Sequence, residues 1–137
     1  MANQSGGCHC GAVKYEISAD PILTAHCQCT DCQKLSGTGH SSNYIVPGDA
    51  VTVTGDMTRY TVTGDSGGEV TRSFCPKCAT AVFSESTSLP GAMIMKAGTL
   101  DNPSVFKPQM VIYTDSAQDW DTMAEDLQRF PGMPPLG

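Results

Sequence analysis

The chain has 137 residues, 39% of them hydrophobic, which fits one globular domain over residues 1–137 and would crowd two. Only 7% of the residues are aromatic, so a modest core with some other reinforcement is expected. Lys plus Arg number 8 against 14 Asp plus Glu, and the charge of -6 argues against a protein that grips the phosphate backbone of nucleic acids.

No apolar run approaches the roughly 20 residues that cross a bilayer. The opening Met1-Ala2-Asn3-Gln4-Ser5-Gly6-Gly7 has neither a basic nor an apolar stretch, so a soluble, cytoplasmic protein with no membrane partner is expected. Residues 13–17 alternate with period two and read as a half-buried strand; 22–25 follow as a second. After Thr30, residues 31–35 have the pattern of a helical turn or two ending before Gly37. Strands are then expected at 42–46, 51–53 and 60–62. Thr63-Gly64-Asp65-Ser66-Gly67-Gly68 reads as a turn joining the last of these to a strand at 69–74. Further strands are expected at 81–84, 92–96 and 109–114, with turn signals spaced as in all-β folds. Trp120, Met123 and Leu127 share a helical face, which predicts a second helix over 120–127 with Trp120 as a core anchor. Pro131-Gly132-Met133-Pro134-Pro135 then excludes regular structure.

Seven cysteines in a reducing compartment point to metal binding or redox chemistry rather than disulfides. They form three groups: Cys8 and Cys10; Cys27, Cys29 and Cys32; Cys75 and Cys78. A structural zinc takes four protein ligands and a catalytic zinc usually three, and seven is four plus three. Cys75-Pro76-Lys77-Cys78 is a knuckle that closes a site only with two thiolates from elsewhere, which Cys8-His9-Cys10 can supply. Cys27-Gln28-Cys29-Thr30-Asp31-Cys32 could then form an open site by itself. Spacing also allows Cys29 and Cys32 to join Cys75 and Cys78, leaving Cys8, Cys10 and Cys27 over. Two wholly structural metals, with His9 or His26 completing the second, are a further reading. Thiolates would suit an iron–sulfur cluster, but no ferredoxin-type spacing occurs.

Gly7-Cys8-His9-Cys10-Gly11-Ala12-Val13-Lys14-Tyr15-Glu16, His26-Cys27-Gln28-Cys29-Thr30-Asp31-Cys32 and Phe74-Cys75-Pro76-Lys77-Cys78 together resemble the glutathione-dependent formaldehyde-activating enzyme family, which includes centromere protein V. Gly98-Thr99-Leu100-Asp101-Asn102-Pro103 and Trp120 extend the resemblance over nearly the whole chain. It implies a mainly β fold, a zinc-containing β-tent of antiparallel sheets with short helical segments. It also implies two Zn2+ per chain. Cys8, Cys10, Cys75 and Cys78 match the closed structural site, and Cys27, Cys29 and Cys32 match the catalytic one. The implied activity is carbon–sulfur lyase chemistry on a glutathione–aldehyde adduct of the S-hydroxymethylglutathione type, with a small-molecule thiol such as glutathione as partner. The family also makes a non-enzymatic, zinc-stabilised protein-binding module an alternative.

The resemblance breaks at two positions. Ala79 stands where relatives commonly carry Gly, and Val111 where many carry His, so a reaction that needs that His would differ here. His26 and His40 are candidates by type for a proton donor, since histidine titrates near neutrality, and either could equally be a packed residue. Lys34 could offset thiolate charge or meet a substrate carboxylate, although a solvated face is the plainer expectation for Asp31 and Lys34. Met93 and Met95 are expected to pack rather than ligate.

Overall fold

The computed structural model describes residues 3–64 and 67–134. Asp65 and Ser66 of the expected turn and Pro135 of the tail lie outside the described residues. In chain order the elements are β1 (Gln4–Gly7), β2 (Lys14–Ile17), β3 (Leu23–Cys27), α1 (Thr30–Ser36), β4 (Ser41–Pro47), β5 (Val51–Thr54), β6 (Thr58–Thr63), β7 (Glu69–Phe74), β8 (Ala81–Ser86), β9 (Ala92–Lys96), β10 (Met110–Ile112) and β11 (Gln128–Arg129). Among the described residues, no helix is long and apolar enough to cross a membrane.

The fold is mainly β. A small sheet has the order β1-β2-β5, and a large one β11-β10-β3-β4-β9-β8-β7-β6. Neighbouring strands are antiparallel except around β10, which runs parallel to both β3 and β11. The alternation read from 13–17 has a clear outcome: Tyr15 and Ile17 are buried while Lys14 and Glu16 face out. β4 is buried along most of its length because it lies inside the large sheet, whereas β6 lies at its edge and is largely exposed.

Register decides what each face of the large sheet does. Tyr44, Met95 and Phe83 are paired across β4, β9 and β8, and all three face the small sheet. With Val13, Tyr15, Ile17 and Val46 they form the core between the two layers. Each such fully buried apolar side chain contributes on the order of 1.5–3 kcal/mol. Met95 is fully buried and Met93 packs partly against the same core, the packing role expected for both. Because side chains alternate along a strand, the row one residue over, Ile45, Ile94, Ser84 and Arg72, must point to the opposite face.

The expected strands at 69–74 and 92–96 coincide with β7 and β9, and the other expected strands overlap elements that differ at their ends. The strand expected over 109–114 is cut to β10 because Tyr113 turns into the left-handed region at φ 59°. The helix expected over 120–127 does not form. Arg129 donates to the carbonyl of Met123, which a helix would give to the N–H of Leu127, and to those of Ala124 and Leu127, while Asp121 is drawn into side-chain bonds with Gln28 and His40. Trp120 is 65% exposed rather than a core anchor. β1 escapes a propensity argument because Gln4-Ser5-Gly6-Gly7 is a poor strand sequence. It pairs with β2 because a glycine at position 6 lets the backbone pass the Tyr15 ring and the Thr99 carbonyl, where any Cβ would collide.

Burial pushes the Tyr15 phenol up to about 12 from its ordinary 10.0, against the lowering effect of its 2.8 Å hydrogen bond with the Thr99 hydroxyl. The unfolded chain therefore loses this proton first, and stability contributed below pH 10 is lost as pH rises towards 12. Urea midpoints measured between pH 9 and pH 11 should fall more steeply for the wild type than for Tyr15→Phe; parallel curves would refute this coupling.

Candidate functional site

The first site grows from two backbone loops that turn on their own hydrogen bonds. Cys8 N–H donates to the Val13 carbonyl at 3.0 Å, and Val13 N–H donates to the Cys8 sulfur at 3.2 Å. In the second loop Cys75 N–H donates to the Thr80 carbonyl, Ala79 N–H to the Cys75 carbonyl, and Lys77 N–H to the Cys75 sulfur. These turns aim four sulfurs at one point: those of Cys8, Cys10, Cys75 and Cys78 all lie within 4.8 Å of one another. Cys10 Sγ is 3.7 Å from both Cys8 Sγ and Cys75 Sγ. A tetrahedral ion with ~2.3 Å zinc–sulfur bonds sets its sulfurs about 3.8 Å apart, so the donor set fits zinc. His9 N–H occupies the Thr80 hydroxyl oxygen at 3.1 Å, which leaves its O–H to donate to Cys78 Sγ at 3.2 Å. Thr80 holds the Cys78 thiol down at about 5.

Cys27, Cys29 and Cys32 make the second cluster, again with all sulfurs within 4.8 Å. Cys27 ends β3, Cys29 is the N-cap of α1, and Cys32 lies in its first turn. The Cys29 sulfur accepts from Cys32 N–H at 3.3 Å, and the helix stops at Gly37, whose φ of 74° suits a residue without a Cβ. Helix geometry therefore brings the second and third sulfurs to the strand end that supplies the first. Hydrogen bonds from Cys27 and then Cys29 hold the Cys32 thiol down at about 2, with the Lys96 charge helping. The sulfurs of Cys29 and Cys32, with burial, push Cys27 far up. Only part of the set can ionise without a cation, and this donor chemistry also fits a metal ion. Among the described residues this cluster offers three ligand atoms where the other offers four.

The three sulfurs open onto a cavity of about 110 Å³ on the face of the large sheet turned away from the core. Ile45, Ile94 and Ile112 supply apolar wall, and Leu35 and Met133 border it from α1 and the last described segment. Among the described residues, Lys96 and Arg72 are its cations and Asp31 its carboxylate. Lys96 Nζ donates to Asn43 Oδ1 at 3.0 Å, across the β4–β9 pair. Burial draws the Lys96 ammonium down, while the charges of Cys32, Cys27 and Cys29 oppose that shift. Arg72 donates from Nη2 to the Asp31 carbonyl at 3.2 Å.

The structure groups the seven cysteines as four and three, the first of the partitions that spacing allowed. Neither candidate histidine is among the residues lining the cavity. His26 lies one residue from Cys27 in β3 and so points to the opposite face, where its Nδ1 is 2.9 Å from Ser42 Oγ and its ring meets those of His40 and Phe106. His40 Nδ1 is 2.9 Å from an Asp121 carboxylate oxygen. Val111 is the register partner of His26, so position 111 also faces away from the cavity and its departure from the family pattern takes nothing from the lining. Lys34 is solvent-exposed, as the plainer expectation had it, but Asp31 borders the cavity. Sequence reasoning missed Lys96, Asn43, Arg72 and Ser84. A lysine set between Met95 and Ala97 in an apolar run was the available signal for one of them; the other three required the register.

A family model described as glutathione-dependent formaldehyde-activating enzyme matches residues 3–116, a span that contains all seven cysteines. A Halomonas elongata protein provisionally named as such an enzyme is 28% identical over 131 residues, covering 84% of this chain and 77% of its own. A Talaromyces marneffei protein of the same provisional name is 31% identical over 78 residues, which are 56% of this chain and 41% of that one. Among solved structures, the crystal structure of a Rhodobacter sphaeroides protein has the same fold, with a TM-score of 0.59 at 20% identity over 76% of this chain and 96% of that one.

Ala79 follows the last sulfur of the first cluster at φ 63°, in the left-handed region that favours glycine. Ala79→Gly should stabilise the protein by about 1 kcal/mol, since the relief of strain exceeds the entropy that glycine adds to the unfolded chain. Denaturant titration of metal-loaded protein checks this, and an unchanged or lowered midpoint would contradict it.

Proposed function

The chain belongs to the glutathione-dependent formaldehyde-activating enzyme family, and from that premise we propose a zinc-dependent carbon–sulfur lyase acting on an S-hydroxymethylglutathione-type adduct. Cys27, Cys29 and Cys32 would hold the catalytic zinc; Cys8, Cys10, Cys75 and Cys78 would hold a structural one. The whole chain would act as one domain in the cytoplasm, where thiols stay reduced. The carrying observation is the three-sulfur cluster opening onto a cavity that contains Lys96.

Cys27, Cys29 and Cys32 would hold the zinc and leave room for a visiting thiol, whose pKa the ion would lower. In the joining direction, the thiol sulfur adds to the aldehyde carbon, the carbonyl electron pair moves to oxygen, and the proton that the thiol lost ends on that oxygen. Release runs the same steps backwards. The isoleucine walls keep water from the reacting sulfur. Lys96, oriented by Asn43, sets a positive charge beside three sulfurs and offers an N–H donor to the oxygen on which charge develops. His26 and His40 have no part in this scheme, since neither lines the cavity.

Cys78→Ser should unfold the protein, because a structural zinc supplies on the order of 10–16 kcal/mol of folding free energy. Cys29→Ser should leave a folded protein without turnover. Circular dichroism and adduct formation from glutathione and formaldehyde test the pair; equal unfolding of both variants would refute the division of labour. X-ray absorption at the metal, with zinc stoichiometry, should count four sulfurs at one ion and three at the other. Two ions each saturated by protein side chains would end the lyase reading.

A further inference from the structure

Two groups in the cavity have no task in this reaction. Ser84 is 2% exposed, lines the cavity, and its hydroxyl has no hydrogen-bond partner among the described residues. A buried hydroxyl left unpaired is unfavourable, and here it borders a space that a ligand can enter. Arg72 is the register partner of Ser84 across β7 and β8, so both side chains stand side by side on the same face of the sheet. Among the described residues, its guanidinium spends one bond on the backbone, the 3.2 Å donation to the Asp31 carbonyl, and an arginine has five N–H donors. Its outer side lies 5.8 Å from the centre of the Tyr60 ring, which helps to fix the plane of the group. Ile94 is the register partner of Ser84 on its other side, and Lys96 follows two residues along β9. The Asp31 carbonyl that Arg72 bonds lies one residue from Cys32, so this pair shares one partly apolar cavity with the sulfurs.

We propose that Arg72 and Ser84 form an anion subsite that holds the carboxylate of the thiol substrate, making the enzyme selective for acidic thiols. The proposal rests on the lyase reading, which supplies the sulfur end. The charges lining the cavity agree with it. Among the described residues, Lys96 and Arg72 stand against the single carboxylate of Asp31, and the charge of Lys96 is already set against the sulfurs. A planar guanidinium beside a hydroxyl matches the two oxygens of a carboxylate, its closeness to the sulfur cluster matches the short reach of a mercapto acid, and the isoleucines lining the same cavity suit the methylene stem.

Calorimetry on the zinc-loaded protein with 3-mercaptopropionate and 2-mercaptoethanol decides this, because the two differ in charge at one end and share the thiol. The wild type should bind the acid at least about tenfold more tightly. Arg72→Gln should erase that preference while leaving the 2-mercaptoethanol affinity unchanged. Ser84→Ala should keep the thermal midpoint, since its hydroxyl bonds nothing in the fold, and should weaken only the acid, about fivefold. If Arg72→Gln fails to fold, Ser84→Ala decides alone. Equal affinity of the wild type for both thiols, or an equal loss of both in the variants, would overturn the subsite and leave thiol binding intact. Absence of binding by either thiol would remove the lyase reading and the subsite together.

Discussion

Like charges crowded within a few ångström need a cation among them. Cys27, Cys29 and Cys32 crowd three sulfurs in this way; one thiol is driven down and another up until something positive shares the space. Much of the local architecture answers that need. A strand end and a helix start deliver the sulfurs, and Lys96, tied to Asn43, stands beside them. The four-sulfur cluster is built differently. Its sulfurs sit instead in two backbone turns whose N–H groups, with the Thr80 hydroxyl, point towards them. The two clusters therefore differ in how their charge is met as well as in the number of sulfurs.

The large sheet separates the two demands on this chain. One face supplies Tyr44, Phe83 and Met95 to the core, which needs apolar volume and nothing else. The opposite face carries Asn43, Arg72, Ser84 and Lys96 into the cavity, and the period of two lets neighbouring residues serve both purposes. Polar side chains on the cavity face therefore leave the packing of the other layer undisturbed. This arrangement also explains how a chain with few aromatic residues retains a well-filled core.

The close groups of cysteines were legible because a short spacing restricts which sulfurs can meet, but spacing left open which pair joins Cys75 and Cys78, and the fold brings Cys8 and Cys10 there. Most strands were legible for the same local reason: Lys14–Ile17 and Ala92–Lys96 show their alternation or their turn boundaries within a few residues. What escaped depends on partners distant in sequence. The face shared by Trp120, Met123 and Leu127 was a fair helical pattern, yet Arg129 takes the carbonyls and His40 and Gln28 take Asp121. The parallel pairing of β10 with β3 joins residues far apart in the chain, so neither the orientation of Val111 nor that of His26 could be read locally. Arg72 and Ser84 become neighbours only once β7 and β8 are in register.

The sulfurs of Cys10 and Cys75 meet although 65 positions separate them. During synthesis at roughly 5–20 residues per second, the N-terminal pair would wait about 3–13 s before its partners leave the ribosome. For that interval Cys8 and Cys10 are unshielded thiols on a nascent chain, open to oxidants and stray metals, and the small sheet cannot be sealed against the large one at this corner.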